Sequence, residues 1–361
     1  MDSCFNLDFP ECHWNTWLWR SVATVQIVFG TLGNTLNIII LLRRRLRKYS
    51  TTVYLVCLAV SDMSTLWVST LPNIILHGFG VNVWESSQFC CKSLNWMSHT
   101  TAAYSIWLLV LLTVERMLLT RCPVFSRTSL TRRVSLITSS VCLFVITAMC
   151  AHYQFGLEIR TASLDFNGTN VTTTVCTYTS TKFKLFYKTS WALIILFVFN
   201  LIPVFLIVIS NAVILITIMV QRKRLSQVNP SGQAQKANSY KKTKSSTKLI
   251  FLISIFFIFT TLPYTINRAV SHLRPSTDTK GEAKRYLFDS VMLLLLYCNF
   301  TFNFVLYFVS GTIFYQELQA FISECRHRMI RIFEHQPSTE HSITNVTRAL
   351  PTNNEDPTEF R

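Results

Sequence analysis

The chain has 361 residues, of which 50% are hydrophobic and 14% are charged, with a formal net charge of +16. Soluble domains carry about a quarter charged residues, so this composition indicates a membrane protein. The positive charges lie in short segments between apolar runs and do not form one solvated face. That distribution is a membrane-topology signal, and it argues against nucleic-acid binding, the usual interpretation of a strongly basic chain.

Seven apolar runs are long enough to cross the hydrocarbon core, which takes about 20 residues of helix. They cover approximately residues 19–42, 52–77, 89–120, 134–153, 185–220, 248–270 and 286–309. The sequence therefore predicts an all-α membrane protein in which residues 19–310 form a seven-transmembrane helix bundle.

The charges of the loops predict how the helices are oriented. Basic segments follow the first, third and fifth runs, at residues 43–48, 121–133 and 221–248. Basic loops stay on the cytoplasmic side, so residues 1–18 are predicted to be extracellular and the C-terminus cytoplasmic. Residues 1–18 contain no Lys or Arg, so we expect no cleavable signal peptide. The expected location is the plasma membrane, which the chain would cross seven times.

Modification sites and an eighth helix are predicted outside the seven runs. Asn167 and Asn170 begin glycosylation sequons in the predicted outer loop between the fourth and fifth runs. Residues 311–333 place apolar side chains on one helical face and charges opposite, as in a helix that lies on the membrane surface. Cys325 in this helix is a palmitoylation candidate, with a plain free thiol as the alternative. Residues 334–361 are polar and are predicted to be a disordered cytoplasmic tail.

Three charged residues lie in or at the end of apolar runs. Glu115 and Arg116 close the third run, and Asp62 lies inside the second. Charges are costly in hydrocarbon, and such residues are usually paired and functional. The simpler interpretation is an interfacial ion pair for the first two and a satisfied polar core residue for Asp62.

Short motifs occur at fixed places in the runs. They are Gly33–Asn34 in the first run, "LAVSD" ending at Asp62 in the second, Glu115-Arg116-Met117 in the third, Pro203 in the fifth, "LPY" at 262–264 in the sixth and "NFVLY" at 303–307 in the seventh. With these motifs the chain resembles the rhodopsin-like (class A) G-protein-coupled receptors over about residues 19–333.

The resemblance implies an activation switch and a sodium site. Glu115 would neutralise Arg116, which is freed to meet a G protein when the sixth helix swings out. The residues implied in the switch are Glu115, Arg116, Phe257, Pro263, Asn303 and Tyr307. An allosteric sodium ion would be held by Asp62, Ser105, Asn299 and Asn303, whose oxygen atoms are the ligands that a hard cation prefers. We expect no other metal and no cofactor.

The resemblance also implies a disulfide between Cys91, at the outer end of the third helix, and Cys176 in the second outer loop. Two alternatives for the remaining outer cysteines stay open. Cys4 and Cys12 could pair with each other, and Cys90 could compete with Cys91.

Several positions depart from the family pattern. Thr261 stands where a Trp is expected, Asn211 where a Tyr is expected, and Phe304 where a Pro is expected; the fourth helix lacks its usual Trp. Loss of the Pro removes a weak point in the seventh helix. These changes bear on activation and not on the fold.

The family pattern excludes two kinds of ligand. Amine receptors carry an Asp where this chain has Ser98, and opsins carry a retinal-bearing Lys where it has Tyr297. The second outer loop, residues 154–184, is rich in β-branched and aromatic residues and is predicted to form a hairpin. Peptide receptors of the family often have such a hairpin, and Pro72 in the second helix is also typical of them. The closest resemblance is to neuropeptide receptors of invertebrates.

Family position gives the candidate ligand-binding residues. They are Asn95, Ser98, His99, Ala102, Trp191, Tyr264, Asn267, Arg268, Asp289 and Tyr297. For Arg268 and Asp289 the alternative is a mutual salt bridge near the outer rim, which contributes little when solvated. For His99 the alternative is a purely structural hydrogen bond.

The leading hypothesis is a receptor that binds an extracellular peptide and activates a heterotrimeric G protein. Arrestin and membrane lipid are further expected partners, and nucleic acid is not. An alternative on the same fold is a chemosensory receptor for small molecules. A transporter or channel is disfavoured because no internal repeat is visible, and an enzyme because no catalytic cluster stands out.

Overall fold

The computed structural model describes residues 8–166, 169–226, 251–268, 270, 278–305 and 312–334. Its main helices are α1 (Pro10–Leu41), α2 (Ser50–Phe79), α3 (Cys90–Arg121), α4 (Arg132–Gly156), α5 (Thr181–Gln221), α6 (Phe251–Arg268), α7 (Thr279–Thr301) and α8 (Thr312–Glu334). The predicted switch residue Tyr307, the sequon residue Asn167 and the predicted tail beyond residue 334 lie outside the described residues.

The predicted fold class is confirmed. Among the described helices, α1 to α6 are long and apolar enough to cross a membrane. α7 occupies the seventh predicted run and has 23 residues, and charged side chains in its first turns lower its hydropathy. α8 is a continuous helix of 23 residues in the segment where the amphipathic helix was predicted. The chain divides into two compact units, Met1–Tyr315 and Gln316–Arg361.

Two helices begin earlier than predicted. α1 begins at Pro10, because the N–H that Pro lacks has no partner in the first turn of a helix. α7 begins after Asp278, whose side chain accepts a backbone N–H of the first turn at 3.1 Å. The two extensions pack together, with Cys12 and Ala283 both buried. Residues 10–18, predicted as part of a separate extracellular segment, are therefore helical and contact α7.

α3 occupies the centre of the bundle, where it packs against α2, α4 and α5, while α1 packs against α2 and α7. Glycines on α1 permit a close approach to the seventh helix. A Cβ atom at Gly30 would lie 3.2 Å from Cα of Thr301, and one at Gly33 would lie 3.0 Å from Cβ of Phe304. Phe304, which stands where the family has Pro, thus fills space that Gly33 leaves open.

α2 departs from α-helical geometry in a π turn at Leu66–Thr70, just before Pro72. Because Pro72 has no N–H, it cannot donate the α-helical hydrogen bond that the carbonyl of Val68 would otherwise receive. The hydroxyl of Ser98 on α3 donates to this carbonyl at 2.8 Å. The irregular part of α2 is therefore joined directly to α3.

An antiparallel hairpin, β1 (Leu157–Phe166) and β2 (Thr169–Tyr178), lies between α4 and α5. It confirms the hairpin predicted for the second outer loop. Cys176 in β2 forms a disulfide with Cys91 at the start of α3, as the family resemblance implied. We call the end of the bundle that carries β1 and β2 the hairpin end, and the end that carries Arg116 the opposite end.

The other cysteines predicted to lie outside the membrane differ in state. Cys90 is a free thiol beside the disulfide, so it does not displace Cys91. Cys12 is disulfide-bonded, whereas Cys4 lies outside the described residues, so their pairing stays a prediction.

Candidate functional site

Asp62 on α2 is fully buried and joins three helical segments. Its carboxylate accepts hydrogen bonds from the hydroxyl of Ser105 on α3 and from the side-chain amide of Asn303, just beyond α7. Asn299 is buried as well, but among the described hydrogen bonds none joins it to this group. The structure thus brings together three of the four residues implied in a sodium site.

The oxygen atoms around Asp62 fit a hard cation. Oδ1 of Asn303 is buried and has no hydrogen-bond partner among the described residues, and burying a polar atom without a partner is costly. Oxygen ligands from a carboxylate, a hydroxyl and an amide are the donor set that such a cation takes. No group of three His, Cys, Asp or Glu side chains that could hold a metal ion occurs in the described chain.

Glu115 and Arg116 lie toward the end of α3 that is opposite the hairpin, within electrostatic range of each other. Glu115 is 3% exposed, and neither of its carboxylate oxygens nor Nε of Arg116 has a hydrogen-bond partner within the described residues. No salt bridge between them is among those described, since adjacent residues on a helix do not face each other, and the neutralisation of Arg116 by Glu115 stays a prediction. Phe257 on α6, another predicted switch residue, is fully buried.

At the hairpin end, α3 and α5 contribute to one aromatic cluster through His99 and Trp191. His99 stacks at 4.6 Å on Tyr153 of α4, and its Nδ1 lies 2.9 Å from the carbonyl oxygen of Asn95. Trp191 is buried and donates from Nε1 to the Tyr153 hydroxyl at 2.9 Å. Asn95 itself donates to Cys91 of its own helix at 2.7 Å. We call His99, His152, Tyr153, Tyr178, Tyr187 and Trp191 the hairpin-end cluster.

Four members of this cluster, His152, Tyr153, Tyr178 and Tyr187, were not predicted. The ring centroids of Tyr178 and Tyr187 are 5.2 Å apart, and those of Tyr153 and Tyr187 are 6.0 Å apart. Side chains two residues apart in a strand share a face, so the position of Tyr178 two residues after Cys176 was a usable signal. Burial, reinforced by the nearby Tyr187 phenol, raises the pKa of Tyr178 to about 12, which keeps this phenol protonated as a donor.

Two of the predicted ligand residues, Asn267 on α6 and Asp289 on α7, contact each other. Asp289 accepts a hydrogen bond from Nδ2 of Asn267 at 2.6 Å, which links α6 to α7. The side chain of Arg268 is exposed, and it lies within electrostatic range of Tyr264, one turn away on α6, and of Asp289. The mutual salt bridge of Arg268 and Asp289 considered from the sequence stays a prediction.

Two other predicted ligand residues have structural partners. Ser98 donates to Val68, as described above. The Tyr297 hydroxyl lies 2.8 Å from the hydroxyl of Ser69 and 3.1 Å from Nδ2 of Asn73, both on α2. Tyr297 is buried within a hydrophobic cluster that includes Trp19. A role of either residue in ligand binding stays a prediction.

Asn200 on α5 links two helices and was not predicted. Its Nδ2 donates to the carbonyl of Ile195 at 2.7 Å, and its Oδ1 accepts from the hydroxyl of Thr265 on α6 at 2.7 Å. Thr261, which stands where the family has Trp, is buried one turn below Thr265, and its hydroxyl has no partner among the described residues. The signal in the sequence was a lone Asn in the apolar run before Pro203.

Comparison with known proteins gives consistent matches. The family described as 7 transmembrane receptor (rhodopsin family) matches residues 33–307. A Caenorhabditis elegans chain assigned to the G-protein coupled receptors is 24% identical over 347 residues, covering 92% of this chain and 78% of that one. Human C-C chemokine receptor type 1 is 25% identical over 318 residues, covering 86% and 79%.

A third relative matches over a shorter stretch. The galanin-like G-protein coupled receptor npr-9 of Caenorhabditis elegans is 28% identical over 136 residues, which cover 38% of this chain and 30% of that protein. The family match spans all seven helices and includes the buried Asp62 group and the end of α3. It is a family of receptors and not of enzymes. The chain belongs to the rhodopsin family of seven-transmembrane receptors.

Proposed function

We propose that the protein is a plasma-membrane receptor that binds an extracellular neuropeptide at the hairpin end and activates a heterotrimeric G protein at the opposite end. Membership of the family implies an extracellular ligand and a G protein as partners. The basic segments at residues 43–48, 121–133 and 221–248 support a cytoplasmic position for the opposite end. The N-terminus is then extracellular and the C-terminus cytoplasmic.

The observation that carries the peptide assignment is the hairpin, which is held to α3 by the Cys91–Cys176 disulfide. Further polar contacts tie it to the segment before α3: Gln88 accepts the backbone N–H of Ile159 at 2.8 Å, and Thr174 donates to the carbonyl of Glu85 at 3.2 Å. A rim of extended backbone and polar side chains offers hydrogen bonds to a peptide. Two relatives are named for galanin and for C-C chemokines.

At the opposite end, the residues proposed for coupling are Glu115, Arg116, Phe257, Pro263, Asn303 and Tyr307. The buried carboxylate of Glu115 lacks a hydrogen-bond partner among the described residues, so the state described here leaves a charge poorly compensated. We infer that a rearrangement in which α6 moves would let Arg116 reach a G protein. A two-state shift of this kind needs a ligand that binds one state more tightly.

The remaining proposals concern other partners and modifications. A sodium ion beside Asp62, Ser105 and Asn303 would bind one of the two states preferentially, with Asn299 as a fourth candidate. Glycans on Asn167 and Asn170, of which Asn170 lies in β2, and a palmitoyl group on Cys325, a free thiol in α8, agree with the proposed orientation. Arrestin and membrane lipid are proposed as additional partners at the cytoplasmic side.

The proposal is tested by calcium and cAMP responses of transfected cells to a library of synthetic neuropeptides. Wild type is compared with Arg116→Ala and Cys176→Ser, and surface expression of each is measured by antibody labelling. We expect one peptide family to give a response that both substitutions abolish, with Arg116→Ala still reaching the surface. Silence from well-expressed wild type, together with responses to small odorants, would instead favour the chemosensory receptor.

A further inference from the structure

The beginning of α1, Pro10–Leu18, carries an exposed pair of tryptophans, and we call this segment the N-terminal extension. Trp14 and Trp17 are 60% and 52% exposed, and their rings meet edge to face with centroids 5.8 Å apart. An indole ring combines a large apolar surface with one N–H donor, so it favours a place between apolar and aqueous surroundings. The exposed side of the extension therefore has the chemistry of a membrane–water boundary.

The opposite side of the N-terminal extension is fixed to the bundle, so the tryptophan pair has a defined position. Cys12 and Asn15 are buried, and the extension packs against α7 and the last turns of α2. Just beyond it, Trp19 stacks on His77 of α2 at 5.0 Å and donates from Nε1 to the hydroxyl of Ser290 on α7 at 3.0 Å. Contacts along one face of a helix direct its other face away from the bundle.

The length of α1 places the pair at the outer boundary of the bilayer. α1 has 32 residues, and it is therefore about 48 Å long at a rise of about 1.5 Å per residue. It ends at Leu41, just before the basic segment at residues 43–48, which marks the inner boundary of the hydrocarbon core. Along the helix, Trp17 lies about 36 Å and Trp14 about 40 Å from Leu41. The hydrocarbon core is about 30 Å thick and the bilayer with its headgroups about 40–45 Å, so both rings lie in the headgroup layer.

The lipid-facing side of α1 continues the surface that the pair begins. Beyond the extension, exposed apolar residues recur at intervals of three, four or seven residues, as on one side of a helix: Val25, Val28, Phe29, Leu32 and Ile39. A tryptophan pair at the end of such an apolar stripe is the arrangement typical of a membrane–water interface. The partner that this surface fits is therefore the outer leaflet of the membrane.

We propose that Trp14 and Trp17 form a membrane anchor, which inserts into the phosphatidylcholine headgroup layer of the outer leaflet and holds the N-terminal extension on the membrane surface. The inference goes beyond the proposed function, because it holds or fails whether or not the receptor binds a peptide. By fixing the extension, the anchor also supports the contacts that Cys12 makes with Ala283 and Trp19 with Ser290, both on α7.

Depth-dependent quenching of tryptophan emission tests the anchor. The purified full-length receptor is placed in phosphatidylcholine nanodiscs that contain a lipid with a nitroxide either on its headgroup or near the end of its acyl chain. The emission lost in Trp14→Phe/Trp17→Phe, measured against wild type, is the emission of the pair. We expect the headgroup nitroxide to quench this emission roughly twofold more than the chain nitroxide, because about 15 Å of hydrocarbon separates the two labels.

The matched control is Trp67→Phe. Trp67 is also exposed, but it lies inside the apolar span of α2 and donates to the hydroxyl of Thr31 on α1 at 3.2 Å. Its emission should be quenched more by the chain nitroxide than by the headgroup nitroxide. If the double variant does not fold, Trp14→Phe and Trp17→Phe measured separately give the same comparison for one ring at a time.

Three other results would overturn the anchor. Quenching of the pair by aqueous iodide as strong as that of free tryptophan, with no effect of either lipid label, would show that the extension projects into solvent. Protection from iodide and from both labels would show that protein covers the rings, and two receptors in each nanodisc would identify a second copy as the cover. Equal or stronger quenching by the chain nitroxide would place the pair below the headgroups. None of these results affects the cell responses that test the proposed function.

Discussion

At the scale of single residues, Ser98 shows that a residue at a family ligand-binding position can have a different role in this chain. Ser98 stands where amine receptors bind their ligand, yet its hydroxyl donates to the Val68 carbonyl on α2. The reason lies in Pro72, which cannot supply the α-helical N–H for that carbonyl. A contact between residues 30 positions apart replaces one that α2 cannot make itself, so the sequence alone could suggest the position of Ser98 but not its partner.

This contact predicts a stability effect. Ser98→Ala should lower the free energy of unfolding by about 0.5–1.5 kcal/mol, because the partly buried carbonyl of Val68 loses this donor. Ser64→Ala is the matched control: Ser64 donates to Val60 of its own helix at 2.8 Å, and that carbonyl can still receive the α-helical N–H of residue 64. Thermal melting of the purified receptor measures both changes. Equal losses in the two variants would contradict the role assigned to Ser98.

At the scale of helices, α5 and α6 are linked by Asn200 and Thr265, just above the site where Thr261 replaces the expected Trp. If α6 moves on activation, this hydrogen bond must break, so it stabilises the state described here. Thr265 also donates to the carbonyl of Thr261 at 3.0 Å, and the same hydroxyl proton cannot serve both acceptors fully. The Thr265 hydroxyl can therefore exchange between its two acceptors, Asn200 and Thr261, so the link between α5 and α6 is not permanent.

We expect Asn200→Leu and Thr265→Val each to raise basal signalling. Loss of one hydrogen bond of about 1 kcal/mol changes the ratio of the two states roughly fivefold. Because both substitutions remove the same contact, the double variant should show much less than the summed effect. Thr217→Val is the control, since Thr217 donates only within α5, to Val213. Basal cAMP or calcium signalling at matched surface expression measures the result, and additive effects would argue against the link.

The approach of α1 to α7 predicts a second effect at this scale. Gly30→Ala should destabilise the bundle by about 1–3 kcal/mol, since the new Cβ would lie 3.2 Å from backbone of Thr301 and 2.4 Å from a methyl group of Leu66. Gly78→Ala is the comparison, because its Cβ would meet mainly the flexible side chain of Arg20, at 3.2 Å. A larger fall in Tm for Gly30→Ala is expected, and the reverse order would show that the helices are not closely packed there.

At the scale of the whole molecule, the features that could be predicted were those that depend on short continuous stretches of sequence. Apolar runs gave seven helices, and β-branched residues around Cys176 gave the hairpin. The start of α1 at Pro10 was missed because the helix begins in polar sequence and is held by packing of Cys12 against Ala283. The hairpin-end cluster joins α3, α4, α5 and β2, and such long-range contacts leave little trace in the order of residues.

The Cys91–Cys176 disulfide is a long-range contact that holds a locally formed element in place, because it joins the hairpin to the central helix across a separation of 85 residues. Removing a disulfide from a small domain costs roughly 2–5 kcal/mol, so Cys176→Ser should lower both Tm and surface expression. Cys90→Ser, which changes the neighbouring free thiol, should leave both near wild type.

In Cys91→Ser, rescue of expression through Cys90 would require a new bridge to Cys176, and mapping of disulfide-linked peptides would detect it. Cys90 and Cys91 are adjacent in the π-helical first turn of α3, so their side chains point to different faces. We therefore expect no such bridge and the same loss as in Cys176→Ser.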